Sequence, residues 1–173
     1  SCIVRYWLAD FHFARGERFT NAGFVKEGIT HLNKAIKLNP LEPNFYSELG
    51  IAYAKMAAYY TQNDDIKTAE EYIEPAVNNS LKALNISPYH LNFYKNHTRV
   101  YYYLAVYDLE LLKESIDTLK KAEELAPTDP KIPFNLAQVY QTLDQKEKAK
   151  EYYQKALDLK PNYERATEAL EKL

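Results

Sequence analysis

The run PKIPFNLAQVYQTLDQKEKAKEYYQKALDLKPNY, from Pro130 to Tyr163, constrains this chain more than any other stretch. Leu136, Tyr140 and Leu143 recur at intervals of four and three, and so do Ala149, Tyr153 and Ala156, so each half carries one apolar stripe of helical period. Neither stripe is buried by one helix alone. The run therefore predicts two short helices folded back on each other, with further helices packed alongside. Ala137, Ala149 and Ala156 let the helices approach closely, while Tyr140 and Tyr153 fill the space beside them. Asp129 before Pro130 predicts a capped helix start with proline in the first turn, where its missing N–H costs nothing. Asp144, with Glu147 three residues on, predicts a capping box for the second helix, and Pro161 closes the unit.

Everything upstream reads as looser copies. A first unit, 9–42, aligns backwards from Pro40 through Ala35, Leu32 and Gly28 to Phe19 and Gly16, with Gly23 at the turn. A second, 43–90, starts at Pro43 behind Glu42 and runs through Tyr46, Leu49, Gly50 and Tyr53, then Ala76, Ser80 and Ala83 before Pro88. It is longer than the last unit by about two helical turns in each arm, a projection of about 10 Å. The apolar phase survives this extension, in Tyr53, Met56, Ala57 and Tyr60 and again in Ile66, Ala69, Ile73 and Ala76. Gln62 to Asp65 makes the turn, with Asp64 or Asp65 as cap, and Pro75 predicts a kink or a fresh start within the second arm. A third unit, 91–129, has Tyr94 and Tyr101 in the aromatic places, extra residues near Tyr107 and Asp108, and the polar pair His97 and Thr98 in its interior. If buried, that pair must be hydrogen bonded. After the fourth unit, 130–163, the segment ERATEALEKL at 164–173 predicts a short, polar terminal helix of the kind that keeps such arrays in solution.

The pattern of large, small, aromatic and proline positions resembles the tetratricopeptide repeat, a helix–turn–helix unit of 34 residues. The resemblance implies an all-α fold: a right-handed α-solenoid of antiparallel helix pairs, with four repeats plus a terminal capping helix in a single domain over 1–173. One departure is Arg15, which stands where the family usually has leucine. In that family the first helices line a concave groove. Carried over by position, the groove residues are Phe13, Glu17, Asn44, Ser47, Ile51, Lys95, Arg99, Tyr102, Lys131, Phe134 and Gln138. The implied function is a scaffold that binds an extended peptide or partner segment. Lys95, Arg99 and Lys131 around Tyr102 and Phe134 suit a ligand with an acidic and an aromatic or apolar element. The carboxylate clamp by which some members hold chaperone tails is incomplete: Lys95 and Asn135 are in place, but Arg99 replaces an asparagine and Ala169 a base.

A narrower likeness also exists. RYWLADFHFARG at 5–16, ISPYHLNFYKNHTRVYYYLAVYD at 86–108 and LAPTDPKIPFNLAQVY at 125–140 are similar to the repeat-bearing tail of some bacterial O-antigen ligase or polymerase-type membrane proteins. That likeness implies an auxiliary soluble domain of a glycan-transferring protein. Its partner would then include the protein's own membrane-embedded region, and it would lie in the cytoplasm or on the outer side of the inner membrane.

Composition narrows the classes. A chain of 173 residues, 46% apolar and 27% charged, fits a globular domain, and only four glycines favour helices over hairpins. A net charge of −2 offers nothing to nucleic acid or to an anionic membrane surface. No apolar run approaches the ~20 residues of a membrane span, and no signal peptide is visible. The missing initiator Met and the apolar opening at Ile3, Tyr6 and Trp7 suggest a piece of a longer protein. Cys2 is the only cysteine, so no internal disulfide forms. His12, His31, His90 and His97 stand apart, with no second ligand at helical spacing for a metal. There is no glycine-rich phosphate loop and no nucleophile elbow, so neither cofactor nor catalysis is expected. Asn78-Asn79-Ser80 and Asn96-His97-Thr98 match the glycosylation pattern but fall within helical segments, which argues against their use.

Overall fold

The computed structural model describes residues 2–173, and of Cys2 the backbone only. Among the described residues the regular structure is entirely helical. The chain divides into two compact units, the first ending at Asp108 and the second spanning Leu109–Leu173.

The first unit holds α1 (Cys2–Asn21), α2 (Val25–Leu38), α3 (Pro43–Gln62), α4 (Ile66–Ile86) and α5 (Leu91–Leu104). Successive helices pack as hairpins, α1 on α2 and α3 on α4, with α2 against α3 and α5 against both α3 and α4. Glycine sets the closest crossings. A Cβ on Gly28 would stand 2.2 Å from Thr20 Oγ1, and one on Gly50 would stand 2.9 Å from the Ala76 carbonyl oxygen, so the helix backbones nearly touch there. Gly23 makes the α1–α2 turn at φ +89°, and Asp64 does the same for α3–α4 at φ 59°. That leaves Asp65 as the helix cap, its carboxylate accepting from Thr68 N at 3.2 Å. Glu42 likewise accepts from Asn44 N ahead of Pro43. The tyrosines at the start of α3 and α5 reach back six residues: Tyr46 donates to the Pro40 carbonyl at 3.0 Å and Tyr94 to that of Pro88 at 2.8 Å.

Two features differ from, or sharpen, the sequence reading. No new segment starts at Pro75; α4 is one helix from Ile66 to Ile86. A proline removes one backbone bond and crowds the preceding turn, but Ala69, Ala76 and Ala83, seven residues apart, are fully buried and hold the helix on both sides of it. The polar pair in α5 is buried and satisfied. His97 Nδ1 lies 2.7 Å from Ser80 Oγ, and Thr98 Oγ1 donates to the Tyr94 carbonyl at 3.0 Å.

The second unit begins with a short 3-10 helix (Leu109–Lys113), then α6 (Glu114–Leu125), α7 (Lys131–Thr142), α8 (Lys146–Leu159) and α9 (Glu164–Glu171). Helix α7 packs on α6 and α8, and α8 on α9. Leu136, Ala137, Ala149, Ala156 and Ala166 are sealed from solvent, as the apolar stripes require. Asp129 caps α7 by accepting from Lys131 N at 3.0 Å. The expected capping box at Asp144 does not form. Asp144 takes the left-handed turn conformation at φ 56°, and Gln145 precedes α8 without a side-chain cap. A three-residue turn between close-packed helices needs one left-handed residue, and aspartate tolerates that conformation.

Candidate functional site

In the first unit, the exposed sides of α1, α3 and α5 share one polar face. Its centre is Glu48 on α3, four-fifths buried, with Oε1 3.8 Å from a guanidinium nitrogen of Arg99 on α5. Burial pushes the Glu48 carboxyl up from its ordinary value; Arg99 pulls it back, while Glu17 on α1 adds to the rise. Lys55, two turns along α3, is pushed down, first by burial and then by Arg99. Beside this group Asn96 Nδ2 donates to Ser47 Oγ at 2.8 Å, tying α5 to α3.

The structure sorts the residues expected to line a groove. Glu17 and Arg99 are exposed on this face, with Lys95 and Tyr102 half-buried on α5. Ser47 is there but buried, its hydroxyl already taken by Asn96. Ile51, 1% exposed, belongs to the core. Phe13 stacks on Phe45 with ring centres 4.9 Å apart, against a cluster that includes Ala9 and Ala35. Asn44 is engaged with the Glu42 carboxylate through Nδ2 at 2.6 Å. Sequence reasoning passed over Glu48 and Asn96, since neither falls on the groove positions of a regular repeat. The close approach of α3 and α5 turns both onto the face. It also passed over a histidine pair: α1 and α2 bring His12 and His31 together with their Nδ1 atoms 2.9 Å apart. Burial comes first in pushing both below the ordinary histidine range; Lys34 and Arg15 push the same way, and His12 acts on His31. The pair is a side-chain hydrogen bond joining α1 to α2. Among the described residues no three His, Cys, Asp or Glu side chains gather as metal ligands would.

In the second unit, Lys131 is exposed, whereas Phe134 is only 3% exposed. Its ring lies 5.0 Å from that of Tyr163 and under the Arg165 guanidinium at 5.1 Å. Gln138 borders a pocket of about 270 Å³ together with Gln141, Tyr153, Arg165 and Glu168. The Tyr153 hydroxyl donates to Gln141 Oε1 at 2.6 Å across its floor.

Residues 134–163, most of the α7–α8 hairpin that forms this pocket together with the C-terminal segment from Arg165, match the sequence profile of the tetratricopeptide repeat. The fold is that of tetratricopeptide-repeat proteins. A thermophilic repeat protein of Thermus thermophilus superposes with a TM-score of 0.68 at 23% identity, over 99% of this chain and 80% of that one. MamA of Desulfovibrio magneticus RS-1 gives 0.63 at 22% identity, over 94% and 81%. Pseudomonas aeruginosa PilF gives 0.60 at 20% identity, over 94% of this chain and 65% of that one. A search of curated proteins by sequence returned no match. Among the described residues no helix of this repeat fold is long and apolar enough to cross a membrane.

Proposed function

We propose that the chain is a non-enzymatic protein-binding scaffold, with 9–42, 43–90, 91–129 and 130–163 as its repeat modules, and that the polar face of α1, α3 and α5 takes an extended peptide. Glu48 carries this reading. Its carboxyl is held largely out of water, yet Arg99 stands 3.8 Å away, beyond hydrogen-bonding distance, with half of its side chain exposed. The guanidinium is thus oriented by one carboxylate and keeps donors for another. A peptide acid seated there meets Arg99 and Lys95, an apolar neighbour meets Tyr102, and a basic residue further along meets Glu17. In the second unit, Gln138 and the pocket beside Arg165 receive a ligand side chain on their own account.

The test is a panel of acidic and aromatic peptides measured by titration calorimetry against the parent and the double variant Lys95→Glu with Arg99→Glu. Affinity falls at least tenfold, about 1.4 kcal/mol, while the helical dichroism stays unchanged. Equal affinity in the double variant overturns the proposed site.

A second reading, an auxiliary domain of a membrane-bound O-antigen ligase or polymerase-like protein facing the outer side of a bacterial inner membrane, is supported by the three runs at 5–16, 86–108 and 125–140. The native gene upstream of Ser1 tests it, since a succession of bilayer-length apolar runs is required and their absence ends this reading.

A further inference from the structure

We propose that α1 pairs antiparallel with the α1 of a second copy of this chain, on the side of the helix away from the proposed peptide face. Helix α1 carries two stripes on opposite sides. Ala9, Gly16 and Thr20 are buried in the first unit, with Phe13 against the core beside them. Val4, Trp7, Phe11, Arg15 and Arg18, continued by Ala22 just past the helix end, stand at spacings of three and four and are all exposed, Trp7 at 64% and Phe11 at 44%. A helix apolar on both sides is built to be covered on both.

Arg15 decides what covers it. By register with the close crossings at Gly16, Gly50 and Ala137, it holds the place of Leu49 in α3 and Leu136 in α7, which are sealed from water. A helix stacked on α1 as α2 stacks on α3 would bury this guanidinium, and none of the residues lining the groove it borders is a carboxylate that could pair with it there, a strongly unfavourable arrangement. Aromatic faces suit it instead. Arg15 already lies 5.9 Å from the Phe11 ring centre and 5.7 Å from that of Phe19. It borders a groove of about 510 Å³ with Phe11, Arg18, Phe19 and Phe24, and no acid lines that groove.

The two halves of the stripe complement each other. The N-terminal half is apolar and aromatic, in Val4, Trp7 and Phe11, and the C-terminal half presents Arg15, Arg18 and Ala22. About a twofold axis near Phe13, Phe11 of one copy faces Arg15 of the other, Trp7 meets Arg18 and Phe19, and Val4 meets Ala22. Each contact occurs twice, as an isologous interface requires, and arginine over tryptophan is the favoured cation–π pair. A single pair of 20-residue helices falls in the small class of interfaces, below about 1,200 Å², so the dimer is transient and concentration-dependent.

Trp7 is the only tryptophan, so its emission reports on this face directly. Sedimentation velocity and fluorescence on the full chain, from low micromolar to roughly 1 mM, show a doubling of mass and a blue shift of emission that run together. Phe11→Lys, which sets a cation against Arg15 of the other copy, weakens association at least tenfold. Phe11→Glu, which sets an anion there, weakens it less. A monomer mass with constant emission over the whole range overturns the proposal, as does equal dimerisation of the Phe11→Lys variant.

Discussion

His97 shows how one residue couples the packing to pH. It is 2% exposed, its ring nitrogen is engaged with the Ser80 hydroxyl, and burial lowers its pKa from 6.5 to about 4. The unfolded chain takes up a proton near pH 6.5, whereas the fold refuses it until about pH 4. This contribution to stability is therefore whole above pH 6.5, is lost as pH falls between those values, and amounts to about 3 kcal/mol when the loss is complete. His12 and His31, also pushed down, act in the same direction, while the raised Glu48 carboxyl opposes them at the acid end. Urea midpoints measured from pH 7 to pH 4 should fall steadily, and His97→Gln should flatten most of that slope. An unaltered slope in the variant would assign the loss to the other groups. The sequence showed that a polar pair lay inside a helix pair. It could not show that Ser80, seventeen residues earlier, supplies the partner, because that depends on where α4 crosses α5.

Among the elements, α4 is held against the local preference of its proline. A proline in a helix interior costs about 3 kcal/mol relative to alanine, yet α4 runs unbroken through Pro75 because Ala69, Ala76 and Ala83 keep one edge of it buried. Pro75→Ala restores the backbone donor and should raise stability by about 1–3 kcal/mol, read as a higher thermal midpoint. A lower midpoint would mean that the proline sets a path on which the α3–α4 contact depends. The turns make the complementary point. Asp64 and Asp144 sit where an aspartate can either cap the next helix or take a left-handed conformation, and the two uses look alike in sequence. The backbone chose the left-handed use at both, leaving the cap to Asp65 in one turn and to no side chain in the other.

At the scale of the whole molecule, each unit buries its own apolar stripes, and stability in a repeat protein is carried by neighbouring helices. Ala137→Glu places an unpaired charge between α7 and α8, where alanine is sealed from solvent. It should unfold the second unit, while amide exchange up to Asp108 keeps its protection. Loss of protection throughout would show that the first unit depends on the second.

The sequence by itself determined the helices, their turns and the small residues at their crossings, because a 3.6-residue period and a left-handed turn residue are local properties. The clustering of side chains was decided by tertiary structure alone. Glu48 and Arg99, His12 and His31, and Ser80 and His97 lie on different helices, and a rotation of either helix by one residue separates them. The same rotation decides whether a groove position such as Ile51 or Phe134 faces a ligand or the core. Here packing area favoured the core, since these are large apolar side chains with a neighbouring helix to cover them.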